Sequence, residues 1–109
     1  MVKTIKVLGQ VEPAAATLTT LYTVPAATST VISSLVVCNL SSVTTTFRVA
    51  VRVAGAAITN KQYIYYGVTI AGNDTFIFTG GISLATTDVI SVYCTLATVV
   101  FNVFGQETT

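Results

Sequence analysis

The segment from Thr44 to Ala54 alternates without a break: Phe47, Val49, Val51 and Val53 fall on one side of an extended chain, and Thr46, Arg48, Ala50 and Arg52 on the other. A period of two is the mark of a half-buried strand, and no stretch of this sequence sustains the 3.6-residue period of a long amphipathic helix. Residue type points the same way. Val, Ile and Thr make up 45 of the 109 residues, and branching at Cβ suits a pleated surface better than a helix. The chain is therefore predicted to be all-β.

Other strands follow from the same reasoning. Val31 to Asn39 is apolar on both faces in its second half, as a central strand should be. Val89 to Thr95 and Val99 to Phe104 flank Leu96-Ala97-Thr98 and read as a closing hairpin. Lys3 to Leu8 alternates modestly, and Leu18 to Val24 runs into Pro25, which fits an edge or a strand end. Gln62 to Tyr66, Val68 to Ile70 and Asp74 to Phe78 are short strands. Turn residues separate these segments at Val24-Pro25-Ala26, Ala54-Gly55-Ala56, Ala71-Gly72-Asn73-Asp74 and Thr79-Gly80-Gly81, while Pro13 to Leu18 has room for one helical turn. Seven to nine strands at this spacing predict an antiparallel β-sandwich or jelly roll, one domain over residues 1–109. Two independent cores rarely fit so short a chain. There is no linker and no extended repeat, although Pro13-Ala14-Ala15-Ala16-Thr17 and Pro25-Ala26-Ala27-Thr28 echo each other.

Charge narrows the function. Only 8% of residues are charged, with five basic, four acidic and no His, against about 25% charged in an ordinary domain. A net charge of +1 is too small for the many phosphate contacts of a nucleic-acid binder. Residues 13–47 carry no charge, yet Thr, Ser, Pro and Asn keep any apolar run short of a membrane span. A secretion signal and the Trp girdle of a small membrane barrel are also missing. Neither nucleic acid nor membrane is expected as a partner. The 27 Ser and Thr residues supply hydroxyls instead of charges. A domain of this size buries only about two thirds of its unfolded surface, so much of the exterior must be Ala, Val, Thr and Ser. Such an exterior suits a protein covered by neighbours, the plainer alternative being a Thr-rich soluble monomer.

Little here reads as reaction chemistry. Glu12, Asp74, Asp88 and Glu107 are scattered, Asp74 and Asp88 in turn-like contexts where the side chain bonds nearby backbone. No nucleophile elbow or base accompanies the many hydroxyls. The chain is expected to be no enzyme and to hold no metal or cofactor. Cys38 and Cys94 are expected to be reduced core residues; the alternative is an inter-sheet disulfide, which would lack its usual packing Trp and an oxidising compartment. Asn39-Leu40-Ser41 and Asn73-Asp74-Thr75 match the glycosylation pattern and are discounted for want of a signal peptide. The side chains that stand out are Arg48, Arg52 and Lys61, followed by Tyr63, Tyr65 and Tyr66. Arg and Tyr are favoured at interface centres, so these six form a candidate interface, set against the reading of a solvated strand face beside an ordinary aromatic strand. Regular alternation places Tyr63 and Tyr65 opposite Ile64 and Tyr66.

From Thr19 to Asn39 (TTLYTVPAATSTVISSLVVCN) the sequence resembles a pattern in small structural proteins of tailed bacteriophages. Phe47-Arg48-Val49-Ala50-Val51, Ala71-Gly72-Asn73-Asp74 and Val99-Val100-Phe101-Asn102-Val103-Phe104-Gly105 are similar to the same group, so the resemblance covers most of the chain. It is a likeness of strands and turns, and no site residue comes with it. It implies a β-sandwich component of the virion in head, neck or tail. The expected function is that of a capsid cement or decoration protein, bound to other virion proteins such as the major capsid protein and assembled as a homo-oligomer, a trimer at threefold positions. The rivals are a neck, tail or fibre-attachment component, a carbohydrate-binding surface module, and an extracellular protein that polymerises by strand addition.

Overall fold

Each alternating strand has one apolar side to bury, and the chain meets that need by stacking two antiparallel sheets. The computed structural model describes residues 1–109. One sheet runs β1 (Lys3–Val11), β9 (Val99–Thr108), β3 (Ser29–Asn39), with β6 (Thr75–Phe78) and β7 (Ile82–Leu84) sharing the far side of β3. The other runs β2 (Thr19–Thr23), β8 (Val89–Cys94), β4 (Thr45–Arg52), β5 (Tyr63–Ile70). Every connection except β4 to β5 and β6 to β7 crosses between sheets. The order β1-β9-β3-β6 over β2-β8-β4-β5 is that of a jelly roll, which decides between the two predicted architectures.

Sixteen buried residues fill the space between the sheets, among them Ile32, Leu35, Val37, Phe47, Val49, Ile90, Val92, Phe101 and Val103. Phe47 lies at the centre, its ring within 5.5 to 6.2 Å of the rings of Phe76, Phe101 and Tyr65. The predicted central strand β3 is central, β4 also lies between two partners, and β2, which leads into Pro25, is an edge.

The closing hairpin is not formed. β8 lies between β2 and β4, β9 between β1 and β3, and residues 95–98 arch from one sheet to the other. Each strand is flanked on both sides by other partners, so neither has a free edge to offer the other. Nor does the segment around Ala15 make a helical turn. It repeats the turn at Ala26: Ala16 and Ala27 adopt left-handed φ of 53° and 54°, and the next residue, Thr17 or Thr28, donates its hydroxyl to the carbonyl two residues back. The echoed PAAAT and PAAT segments are one turn used at two successive crossovers.

Polar side chains close the sandwich at its ends. Near one end, Asn39 is buried and its amide nitrogen donates to the carbonyls of Val43 (2.8 Å) and Ala71 (3.3 Å). Its side-chain oxygen accepts from the Ser41 amide (3.1 Å) and the Thr98 hydroxyl (3.2 Å). The glycosylation motif at Asn39 is therefore a structural knot. Near the other end, Tyr22 donates to Glu107 (2.6 Å), which Lys6 also meets at 3.0 Å. With the phenol proton so committed, Thr30 donates to the Tyr22 oxygen at 2.8 Å.

This cluster makes stability depend on pH at both extremes. Glu107 is held below the usual carboxylate range, chiefly by the Tyr22 hydrogen bond and next by that of Lys6. Its stabilisation is complete above that range and is lost as pH falls through the depressed value. The Tyr22 phenol is pushed up from 10.0 to about 12, first by burial and then by its bond to Glu107. Its share is complete below the ordinary value and is lost as pH rises through the raised one. Thermal melts across pH are expected to show Tyr22→Phe with a shallower alkaline decline, and Glu107→Gln with a shallower acid one. Unchanged slopes in both variants would contradict this account.

Candidate interaction surface

On β4 the side chains Thr46, Arg48, Ala50 and Arg52 point away from the other sheet, Ala50 being fully covered there, and register with the neighbouring strands sets what stands beside each. Arg48 is opposite Tyr93 on β8 and Tyr66 on β5. The guanidinium carbon is 4.2 Å from the Tyr66 ring centre and 4.3 Å from that of Tyr93. Tyr63 adds to the row, its ring edge-to-face with Tyr66 at 4.9 Å. Asn60, Tyr63 and Tyr66 line a shallow recess of about 420 Å³ beside it.

The row exists because β5 departs from regular alternation. Register with β4 shifts twice, leaving Ile64 and Gly67 without partners, and Gly67 takes a φ of 67° that suits a residue without Cβ. The bulge at Ile64 rotates everything before it by one face. Tyr63 is thereby opposite Ala50 and joins Tyr66 outside, while Tyr65, opposite Val49, packs inward against Phe47, Phe76 and Phe78. The predicted pairing of Tyr63 with Tyr65 on one face is corrected by that single extra residue.

The six candidate residues thus divide. Arg48, Tyr63 and Tyr66 come together. Tyr65 joins the core. Arg52 is turned to structural use: its guanidinium donates to the carbonyls of Ala56 (2.8 Å) and Gly55 (3.0 Å) and to the Ser91 hydroxyl (3.3 Å). It braces a short 3-10 turn at Val53–Gly55 in which Ala54 has a left-handed φ of 55°, and buried Asp88 braces the same turn by accepting from the Ala54 amide at 2.8 Å. Lys61, in the 3-10 turn Asn60–Gln62, lines a separate recess with Val51, Val53, Ala56 and Gln62. Tyr93 belongs to the row although the sequence reading passed over it. Inward Val92 and Cys94 imply that Tyr93 faces out, but its place beside Arg48 needs the pairing of β4 with β8.

The cysteines are free, as expected, but only one is in the core. Cys94 is fully buried on the inner face of β8, and burial pushes its thiol pKa up. Cys38 lies between inward-facing Val37 and Asn39 and so points outward, half-buried. A folded sample is expected to consume one equivalent of a thiol reagent, at Cys38, and a denatured sample two, since a buried neutral thiol is a poor nucleophile. Equal rates at both positions in the folded protein would rule this out. The acidic side chains are dispersed, and no three Cys, Asp or Glu side chains converge. No family model, curated protein or solved structure gives a significant match to this chain.

Proposed function

We propose that this chain is a non-enzymatic structural protein of a virion, a capsid cement or decoration protein that stabilises the head by binding across neighbouring subunits. The observation that carries the reading is the outer face of the five-stranded sheet. Cross-strand register lines up Ile5, Gln106 and Val31 in one row, and Gln10, Asn102, Val36 and Ile77 in another. Ile5 is 84% exposed and Ile77 60%, and Val7 and Val31 are also open to solvent. Lys3 is the only charged residue whose register puts it on this face. An exposed, nearly uncharged surface of strands gains by being covered, and repeated copies on a shell make even modest contacts collectively strong. The resemblance to phage structural proteins supports the same reading, and jelly rolls serve as capsid modules as well as lectins, so fold alone does not choose between them.

Mass spectrometry of purified particles, from a genome that encodes the chain, tests the proposal. Detection at a copy number matching the capsid lattice is the expected result. Six or twelve copies would move the protein to the neck or tail, and its absence from particles would end the virion reading. Size-exclusion chromatography with light scattering on the isolated chain adds the symmetry: a trimer fits a threefold site on the shell.

A further inference from the structure

The two arginines of β4 differ in how their donors are used. Arg52 spends its guanidinium on two carbonyls and a hydroxyl. Arg48, also always charged, makes no hydrogen bond or ion pair within the protein, whose single ion pair joins Lys6 to Glu107 on the other sheet. What holds Arg48 is aromatic: the rings of Tyr66 and Tyr93 flank it at 4.2 and 4.3 Å. Together the two cation–π contacts fix the plane of the guanidinium and leave its N–H groups without a partner in the protein.

We infer that this Tyr66–Arg48–Tyr93 row is a carboxylate-binding slot that takes a Glu or Asp side chain from an acidic segment of a protein partner. Arg presents two parallel N–H groups that match a carboxylate bidentately, and the flanking rings offer apolar walls for the methylene stem of the incoming side chain. Charge complementarity points the same way. Arg48, Arg52 and Lys61 are the charges on and beside this face, with Asp88 buried and engaged with the backbone amides of Ala54 and Ala85. The negative charge must come from the ligand. One free guanidinium is too little for a polyphosphate backbone, which needs several cations. An acidic sugar carries several hydroxyls to satisfy besides its carboxylate, and the recess beside the slot is lined by only three residues, Asn60, Tyr63 and Tyr66. Prior immobilisation of the guanidinium lowers the entropic cost of binding. The inference goes beyond the virion reading, and its test uses the isolated chain, so either can fail without the other.

The experiment is a nitrogen-15 NMR titration of the whole chain that follows backbone amides and the Arg48 Nε–H, with a hexaglutamate peptide as probe. Saturable shifts are expected at Arg48 Nε–H and at the amides of Tyr66 and Tyr93, with Arg52 Nε–H little changed because it is already bonded. Arg48→Lys keeps the charge and loses the fork, and it is expected to weaken binding by roughly fivefold or more. Tyr93→Ala removes one wall and should weaken it less. An unshifted Arg48 Nε–H would overturn the proposal, as would an Arg48→Lys chain that binds equally well. A stronger response to oligogalacturonate or to tripolyphosphate than to hexaglutamate would overturn it too, assigning the site to an acidic glycan or a phosphate respectively.

Discussion

Phe47→Ala is expected to lower the melting temperature by roughly 15–25 °C, the largest single-residue effect in the protein. Phe47 is completely buried and sits where both sheets meet, against Tyr65 of its own sheet and Phe76 and Phe101 of the opposite one. Truncation removes the ring's transfer energy and leaves a cavity that two hydrogen-bonded sheets cannot collapse to fill, a combined loss of about 3–5 kcal/mol. A domain of this size has about 5–15 kcal/mol in all, and each kcal/mol moves the midpoint by about 4–8 °C in small domains. Circular dichroism melts measure this directly. Tyr65→Phe is the informative comparison: it keeps the ring that contacts Phe47 and should shift the midpoint far less. A Phe47→Ala chain melting within a few degrees of the parent would mean that the sheets do not pack through this residue.

Asn39→Ala is expected to cost about 2–4 kcal/mol by a different route. The side chain replaces little apolar area; its value lies in four hydrogen bonds made by a buried amide, to residues 41 and 43 of the β3–β4 loop, 71 of the β5–β6 loop and 98 of the β8–β9 loop. Removing it leaves partner groups unsatisfied, at about 1–3 kcal/mol for each one that water cannot reach. Gly72 lies in the same knot, so close to Ser42 that a Cβ would collide with the Ser42 carbonyl, which leaves the loops no room to rearrange. Asn39→Asp sharpens the test. It is nearly isosteric, yet it turns a carboxylate oxygen toward the carbonyls of Val43 and Ala71 where an amide had donated. Burial beside two acceptors favours the protonated acid, so this variant should be weakest at neutral pH and partly recover as pH falls and the acid can donate again. Urea titrations at acid and neutral pH read the difference, and a pH-independent loss would show that the donated bonds are not what matters.

These two residues also mark how far a linear reading reaches. Phe47 was legible as a core residue because alternation is local: once Val49 and Val51 must be buried, the pleat places Phe47 with them. Asn39 was not legible as a knot, because its partners lie up to 59 residues away and the Asn-x-Ser pattern suggests a surface site instead. The PAAAT and PAAT echo was visible, yet its meaning as a repeated left-handed turn required backbone angles.

In the candidate surface the division is sharper. Arg48 and Arg52 were assigned to one outward face from the sequence, and both are there. That one is bonded to a turn and the other held between rings depends on which residues stand opposite, and the sequence contains no local signal for that. Tyr63 and Tyr65, placed on one face by regular alternation, part to opposite faces because a single unpaired residue, Ile64, shifts the register, and a one-residue slip moves every preceding side chain to the other face. Tyr93 reached Arg48 only through pairing across 45 positions, and β8 and β9 parted into different sheets because each finds two other strands to bond. The sequence by itself determined that the chain makes strands, which faces of the longest ones enter the core, and that little charge would remain outside, since these depend on side-chain type and a period of two. Tertiary structure alone decided sheet membership, register and the company of each outward side chain, because hydrogen-bonded pairing between distant strands is cooperative and joins residues that no local sequence signal connects.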